Sequence, residues 1–556
     1  MVCLFFGDND GRQPVICPRT VWCADLRALC STRVVVTLVA LSVVTGFFYP
    51  AHLAWADEPD SRFGIFEFRV LGNSTLPART VETAVYPFLG EGRTLATVES
   101  ARDALVAAYR AAGFGTVLVD IPEQTVDDGV VRLQVTEGRI ESVRVAGAKY
   151  YSGRRLVARL PSAAPGSVPA LPALQSELAA LGSEARDRQI TPILKPGATP
   201  GSIELDLEVQ DRLPVHASLE VNNRYTADTA HLRSSASVSY ENMFQRAEVV
   251  SLQVQTTPTD PSQVKVGVIN YMGRMGSPDW TWSAYAIRSN SQVAAIGTLN
   301  VIGNGTIVGW RVNDTFVATE HGSQTLTFGG DFKDFHQDVN LPENISAKTP
   351  IRYALWTGQY SANTSSPAMD SQSNLSVALG MRGIVNDEAQ FEFSRYGAHA
   401  GFAVLRGASS LTWRLPRSWS LNARASFQYS EQPLISNEQF SLGGVDTVRG
   451  FLDAEALVDS GVAAGLELRA PLLHWGAFQA GPFVFYDRGF GMVQDPLSQQ
   501  IKAGTVRDSL TGVGAGMRMK ISQSVDALLD FSRPKVTASR TQVGDTRIDF
   551  SVRLSY

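Results

Sequence analysis

The chain closes on RIDFSVRLSY, Arg547 to Tyr556. Ile548, Phe550, Val552, Leu554 and Tyr556 take every second position, and charged or small polar residues take the others. Successive side chains of a strand point to opposite faces, so this stretch predicts a strand with one apolar and one polar side. A half-apolar strand that ends a chain on an aromatic is the closing strand expected of an outer-membrane β-barrel. Phe550, Val552, Leu554 and Tyr556 form that C-terminal barrel signal.

The same texture extends back to Arg212. HASLEVNNRY alternates Ala217, Leu219 and Val221, and LRSSASVSYEN alternates Ala236, Val238 and Tyr240. SQVKVGVINYM alternates Val264, Val266 and Val268, and QTLTFGGDFKDF alternates Leu326, Phe328, Gly330 and Phe332. The apolar set is expected to face lipid. The opposite set is Ser, Thr, Asn, Gln, Lys and Glu, and Gly, Asn, Asp and Pro separate the runs. No helix-period segment of useful length is expected after Arg212. A membrane-spanning strand needs about 9–11 residues. At roughly 20 residues per strand with its turn, 212–556 is long enough for a membrane all-β barrel of about 16 antiparallel strands.

Two α+β units precede it. In the first, 63–138, FEFRVLG alternates as a strand. TVESARDALVAAYRAAGF then reads as an amphipathic helix with Val98, Ala101, Leu105, Ala108 and Ala112 on one face. Thr97 is its expected N-cap and Gly113 its C-terminal glycine. Two strands, GTVLVDI and GVVRLQVTEG, complete the unit. The second, 139–211, repeats the order around a Pro/Ala/Ser-rich insertion, PSAAPGSVPA. Leu171, Leu174, Leu178 and Leu181 mark one face of its second helix.

Residues 34–49 form a single apolar run, preceded by Arg27 and Arg33 and followed by Ala54-Trp55-Ala56. That is the pattern of a secretory signal with an extended n-region over 1–56, cleaved before Asp57. Cys3, Cys17, Cys23 and Cys30 all lie before the run, so no disulfide is expected in the mature chain. Lys and Arg number 49 against 54 Asp and Glu, a net charge of -5, and nucleic acid is not expected as a partner.

No enzyme chemistry is legible. The sequence has no H-E-x-x-H, G-x-S-x-G or P-loop pattern, and no metal or cofactor is expected. GVGAG, Gly512 to Gly516, sits in a strand-like run with no helix after it. Its glycines suit a place where strands or a loop pack closely. His321 and His336 stand alone in polar, turn-like sequence.

Several stretches resemble the two-partner secretion outer-membrane transporters, the TpsB or ShlB/FhaC/HecB family within the BamA-like superfamily. GFGTVLVDIPEQTVDDGVVRLQVTEGRI resembles the end of that family's first POTRA module, with Gly113-Phe114, Ile121-Pro122, Gln124, Gly129 and Glu137-Gly138 in place. PILKPGATPGSIELDLEVQDRLP resembles the end of the second, ShlB-type module. LISNEQFSLGGVDTVRGF carries the family's V-R-G-[YF] motif as Val448, Arg449, Gly450 and Phe451, and FYDRG carries its F-x-D-x-G motif as Phe485, Asp487 and Gly489.

The resemblance implies a barrel in the outer membrane of a Gram-negative bacterium, with both POTRA modules in the periplasm. It implies that a loop near 440–456 folds into the lumen, where Arg449 pairs with Asp487 on the wall. It implies a large TpsA-type exoprotein, of haemolysin or adhesin type, captured unfolded and secreted through the pore. Leu171, Leu174, Leu178 and Leu181 are its expected contact face. Outer-membrane lipid and the barrel-assembly machinery are the other implied partners. The family often carries an N-terminal plug helix, but only about six residues separate Asp57 from Phe63, too few for a helix and linker. Resting closure is therefore expected from the Arg449 loop alone. A BamA-like factor that assembles other barrels is the alternative; a passive porin would leave the two modules unexplained.

Overall fold

The computed structural model describes residues 62–556 except 228, 292, 297–298, 303, 342–344, 384 and 504–505. The signal expected over 1–56 lies outside the described residues.

In the first module, strands Glu67–Leu71, Val130–Thr136 and Leu118–Asp120 form one sheet in that spatial order. Glu67–Leu71 pairs parallel to Val130–Thr136, and a parallel pair needs a long crossover. Helices Ala78–Val85 and Leu95–Ala111 supply it. The longer helix starts one turn before the expected cap. Thr94 is the N-cap, and its N–H donates to Thr97 Oγ1 at 3.4 Å, so Thr97 is the reciprocal member of a capping box. Tyr109, rather than Ala112, completes the buried face with Val98, Ala101 and Leu105. The helix ends at Gly113, whose φ of 92° only glycine adopts without strain.

The second module repeats the plan. Ser202–Asp211 lies between Arg139–Ala146, parallel to it, and Arg188–Pro196, antiparallel to it. Helices Gly153–Val157 and Leu171–Glu184 cover the sheet. Each module has its own apolar core.

Three of the four helix leucines belong to that packing, which narrows the expectation of a contact face. Leu174 and Leu181 are 3% and 2% exposed, and Leu178 packs against the same core. Leu171 meets the first module: its N–H donates to the Gly113 carbonyl at 2.9 Å, and its side chain lies against Gly115. An apolar stripe on a short helix is buried first by its own sheet, and here Leu174 and Leu181 are used up in that way. Leu174→Ala should therefore act as a core deletion, destabilising the module by about 2–4 kcal/mol. A lowered urea midpoint for protease resistance of the module would show this; unchanged resistance with lost export would restore the contact role.

The C-terminal part is a closed antiparallel barrel. Seventeen strand segments close the ring, and the three-residue segment Leu473–Trp475 continues Ser460–Arg469 beyond Pro471 along the same partner, leaving sixteen strands. The ring closes where Arg547–Ser555 pairs with Val215–Asn222. Closure satisfies every strand edge, the condition for crossing a bilayer with strands. Leu219, Val238, Leu326, Phe328, Ile548, Val552 and Leu554 are exposed around the outside, as the alternation requires.

Short turns lie at the end that faces the modules. There the Arg155 guanidinium donates to the Phe244 carbonyl at 2.7 Å, and Arg186 pairs with Glu241. Long connections lie at the far end.

The lipid-facing expectation fails at the far end. Val264 and Val266 face inward, buried with Ile287, Phe335, Tyr353, Phe391, Leu434 and Ile435. Among the described residues after Arg212 there are two short helices, Glu388–Ser394 and Ser498–Ala503. The first packs into this inward cluster through Phe391. At this end loop residues pack into the barrel mouth, so the apolar strand face turns inward and the alternation seen from sequence changes meaning.

The inner wall lower down is polar and almost uncharged on one side. Ser361, Asn374, Ala408 and Ser426 are cross-strand neighbours in one row; Asn363, Gln372, Ser410 and Arg424 form the next. Of these, Asn374, Gln372, Ala408, Ser410, Ser426 and Arg424 line an open pocket of about 250 Å³ beside the loop residues Asp446 and Thr447.

Candidate functional site in the barrel lumen

The connection between strands Ser420–Tyr429 and Ser460–Arg469 folds back inside the ring. Phe440–Leu442 pairs with Ala456–Val458 to make a short stalk, and the tip carries VRGF. Gly443 and Gly450 have φ of 103° and 96°, so the reversals at both sides of the tip depend on glycine.

Arg449 is 4% exposed and Asp487 is fully buried. The Arg449 Nε donates to Asp487 Oδ2 at 2.7 Å and Nη2 donates to Oδ1 at 3.1 Å, a two-pronged pair. Nη1 donates to Glu467 Oε2 at 2.7 Å. The guanidinium lies 3.5 Å from the centre of the Phe485 ring. Burial alone would lower the Arg449 pKa, but the hydrogen bonds and charges of Asp487 and Glu467 outweigh it and hold it above its ordinary value.

The rest of both motifs shapes the seat. Val448 and Phe451 are buried with Leu442, Val458, Ala463 and Leu510. Gly489 leaves room for Val448: a Cβ there would stand 2.9 Å from Val448 Cγ2. Gly512, the first glycine of GVGAG, lets the loop touch the wall, since a Cβ would come within 1.9 Å of the Arg449 carbonyl oxygen.

Two members of the constellation were not singled out from sequence. Glu467 accepts from Arg449, Arg469 and Arg518, and Arg424 donates to Asp487 Oδ2 at 3.0 Å and to the Val445 carbonyl at 2.6 Å. Each is one polar residue in an alternating strand and looks like any other lumenal position.

Three acids pin the remainder of the loop. Glu438 accepts from Lys333 Nζ at 2.5 Å, the Tyr353 hydroxyl at 2.7 Å and Arg406 Nη2 at 2.9 Å. Glu455 accepts from Arg540 N at 2.6 Å and from the Thr541 hydroxyl at 2.7 Å. Asp459 accepts from Arg395 Nη2 and from Gln494 N, both at 2.7 Å. All three acids belong to the same connection that carries Arg449, and their partners sit on barrel strands and on the neighbouring loops.

Burial would raise the Glu438 carboxyl, but the charges of Lys333 and Arg406 and the bonds from Lys333 and Tyr353 bring it down from 4.5 to about 2. A depressed carboxyl stabilises above its unfolded pKa and stops doing so as pH falls through the folded one. The pin should hold at neutral pH, weaken below pH 4.5 and be lost towards pH 2. Glu438→Gln leaves two cations facing a neutral amide, a loss of about 3–5 kcal/mol. Peptic nicking within 430–459 should begin near pH 2 in the native chain and already at pH 4 in the variant; equal onset would remove the pin.

At the module end, Asp187, His216 and Glu241 converge, with donor atoms within 4.8 Å of one another. Arg186 already pairs with Glu241, and His216 Nε2 lies 2.8 Å from Asp187 Oδ2. The trio is an ionic joint between the second module and the first two barrel strands.

A sixteen-stranded barrel behind POTRA-type modules, with a loop locked inside it, defines an outer-membrane protein of the transporter and assembly class. Residues 201–519 match the family model of the haemolysin secretion/activation proteins ShlB/FhaC/HecB, and residues 63–138 match the ShlB-type POTRA domain. The chain belongs to that haemolysin secretion/activation family. No curated protein matches the sequence. Among solved structures, CdiB from Escherichia coli is 16% identical with a TM-score of 0.55, covering 90% of this chain and 92% of its own. CdiB from Acinetobacter baumannii is 15% identical at 0.53, covering 89% and 90%. BamA from Haemophilus ducreyi lacking POTRA domains 1–3 is 13% identical at 0.55, covering 89% and 100%. At these identities the likeness is one of fold. The barrel lies in the outer membrane and its POTRA region in the periplasm.

Proposed function

We propose that this chain captures a large unfolded exoprotein in the periplasm and secretes it through the barrel lumen by two-partner secretion. The observation that carries the reading is the loop 430–459, held inside the ring by Arg449, in a chain of the haemolysin secretion/activation family. A passive porin would leave the modules unexplained. Capture falls to the modules, by addition of a strand to an open sheet edge. Both edges of the second sheet, Arg139–Ala146 and Arg188–Pro196, have one partner only. Leu174 and Leu181 are excluded by their burial, while Leu171 and Leu178 are half-buried. Transit then runs along the polar wall beside the loop. Outer-membrane lipid surrounds the barrel, and the assembly machinery inserts it.

The test compares culture supernatants and outer-membrane fractions of a deletion strain with wild type by mass spectrometry. Loss of one large exoprotein with other barrels unchanged is expected. A general fall in outer-membrane barrels would replace secretion with an assembly role.

A further inference from the structure

The inner wall beside Arg449 holds a buried carboxylate with no partner. Asp530 is 1% exposed, its Oδ1 makes no hydrogen bond, and no ion pair to it occurs among the described residues. The other acids nearby are all engaged: Asp487 and Glu467 as described, and Asp549 with Arg547 at 2.8 Å. Asp549 is also the direct cross-strand partner of Asp530, so two carboxylates face each other and only one has a cation.

The position of Asp530 follows from the strand register. Asp487 stands opposite Gly512, Phe485 opposite Gly514, and Phe483 opposite Gly516, which in turn pairs with Asp530. The Arg449 guanidinium sits at the level of Phe485. Asp530 therefore lies one inward row closer to the modules. The route between has no bulky side chain on the middle strand, because Gly512, Gly514 and Gly516 supply its inner face. It is paved instead by two rings: the guanidinium is 3.5 Å from the Phe485 centre and 6.0 Å from that of Phe483. The Phe483 ring and Asp530 Oδ1 both occupy the space where a Gly516 side chain would stand.

We propose that Asp530 is a second seat for Arg449, which the loop tip reaches by descending one row towards the modules. Charge balance supports the transfer. A buried cation leaves a carboxylate at low cost only if that carboxylate keeps another partner and the cation gains one. Asp487 keeps Arg424, and Glu467 keeps Arg469 and Arg518. Asp530 gains the partner it lacks. Phe485 holds the guanidinium by a cation–π contact at the upper row, and Phe483 at the lower row lies 6.0 Å from it and already meets Arg518 at 5.3 Å. Asp530 is a positioning residue for the loop. The inference deepens the transport reading, but its test needs no cargo.

The sequence has no cysteine after Cys30, so with Cys3, Cys17, Cys23 and Cys30 changed to Ser the labels sit only where they are placed. Asp446→Cys marks the loop tip and Gln523→Cys a short turn at the module end, and their separation is measured by pulsed electron resonance on the purified full chain. The native chain should show one main distance. Asp487→Asn should make a second population dominant, shorter by about 7 Å, one row of two residues. Adding Asp530→Asn should abolish the shorter distance, and Asp530→Glu should keep it. Asp530→Asn alone should leave the main distance in place, which shows that the barrel is intact. A distribution in Asp487→Asn that lacks the shorter population, or that is the same with and without Asp530, would overturn the proposal. If the distances shift as expected while the deletion strain loses no exoprotein, the second seat stands and the secretion reading falls.

Discussion

Arg449→Ala should cut export of the partner protein at least tenfold while the barrel still reaches the outer membrane in near-native amount. The barrel ladder does not involve this side chain, and the ring closes through Arg547–Ser555 and Val215–Asn222. What is lost is the seat of the loop. Asp487 retains Arg424, so the cost belongs at the lower end of the range for a broken buried pair, about 3 kcal/mol. Since 1.4 kcal/mol is a factor of ten, that shifts the closed-to-open ratio of the loop by ~100-fold. Arg449→Lys should recover little, because a single ammonium cannot replace two prongs to Asp487 and a third contact to Glu467. Export and heat-modifiable migration measured on the same cells separate the two effects. Normal export by Arg449→Ala would end any role for the lock, and loss of the folded band would make it merely structural.

Deleting 63–211 should give the largest effect: a folded, conducting barrel that exports nothing detectable. The modules have separate cores and meet the barrel through a few polar contacts, such as Arg186 with Glu241 and Arg155 with the Phe244 carbonyl. Loss of exposed polar pairs costs about 0–1 kcal/mol each, too little to unfold a closed barrel. Single-channel recordings in planar bilayers would check the pore and supernatants the export. Retained secretion would show the modules to be dispensable and move cargo recognition into the lumen.

Much of this architecture can be read from the residues, and the failures have physical causes. The outward alternation of Leu326, Phe328 and Phe332 announces lipid because nothing else in the chain could cover it. Val264 and Val266 alternate just as well, yet they face a roof made by Phe391, Leu434 and Ile435, which arrive from more than 120 positions away. Period two says that a strand has two faces and does not say which faces inward. The leucines of Leu171–Glu184 pose the same problem, since periodicity marks a buried stripe without naming what buries it. Arg449 and Asp487 were legible because each stands in a short motif. Glu467 and Arg424, both partners in the lock, sit in plain strands and become visible only when the register aligns them with Phe485 and Gly465.

The uncharged wall has a consequence for speed. A polypeptide in transit presents acids, bases and apolar groups in unpredictable succession. Against Ser361, Asn374, Ser410 and Ser426 it finds hydroxyls and amides that trade one hydrogen bond for another at nearly equal free energy. On the secretion reading, a cargo side chain facing these four residues would meet no partner strong enough to hold it, as on a lubricated surface. Such indifference to sequence would let a long chain pass at an even pace.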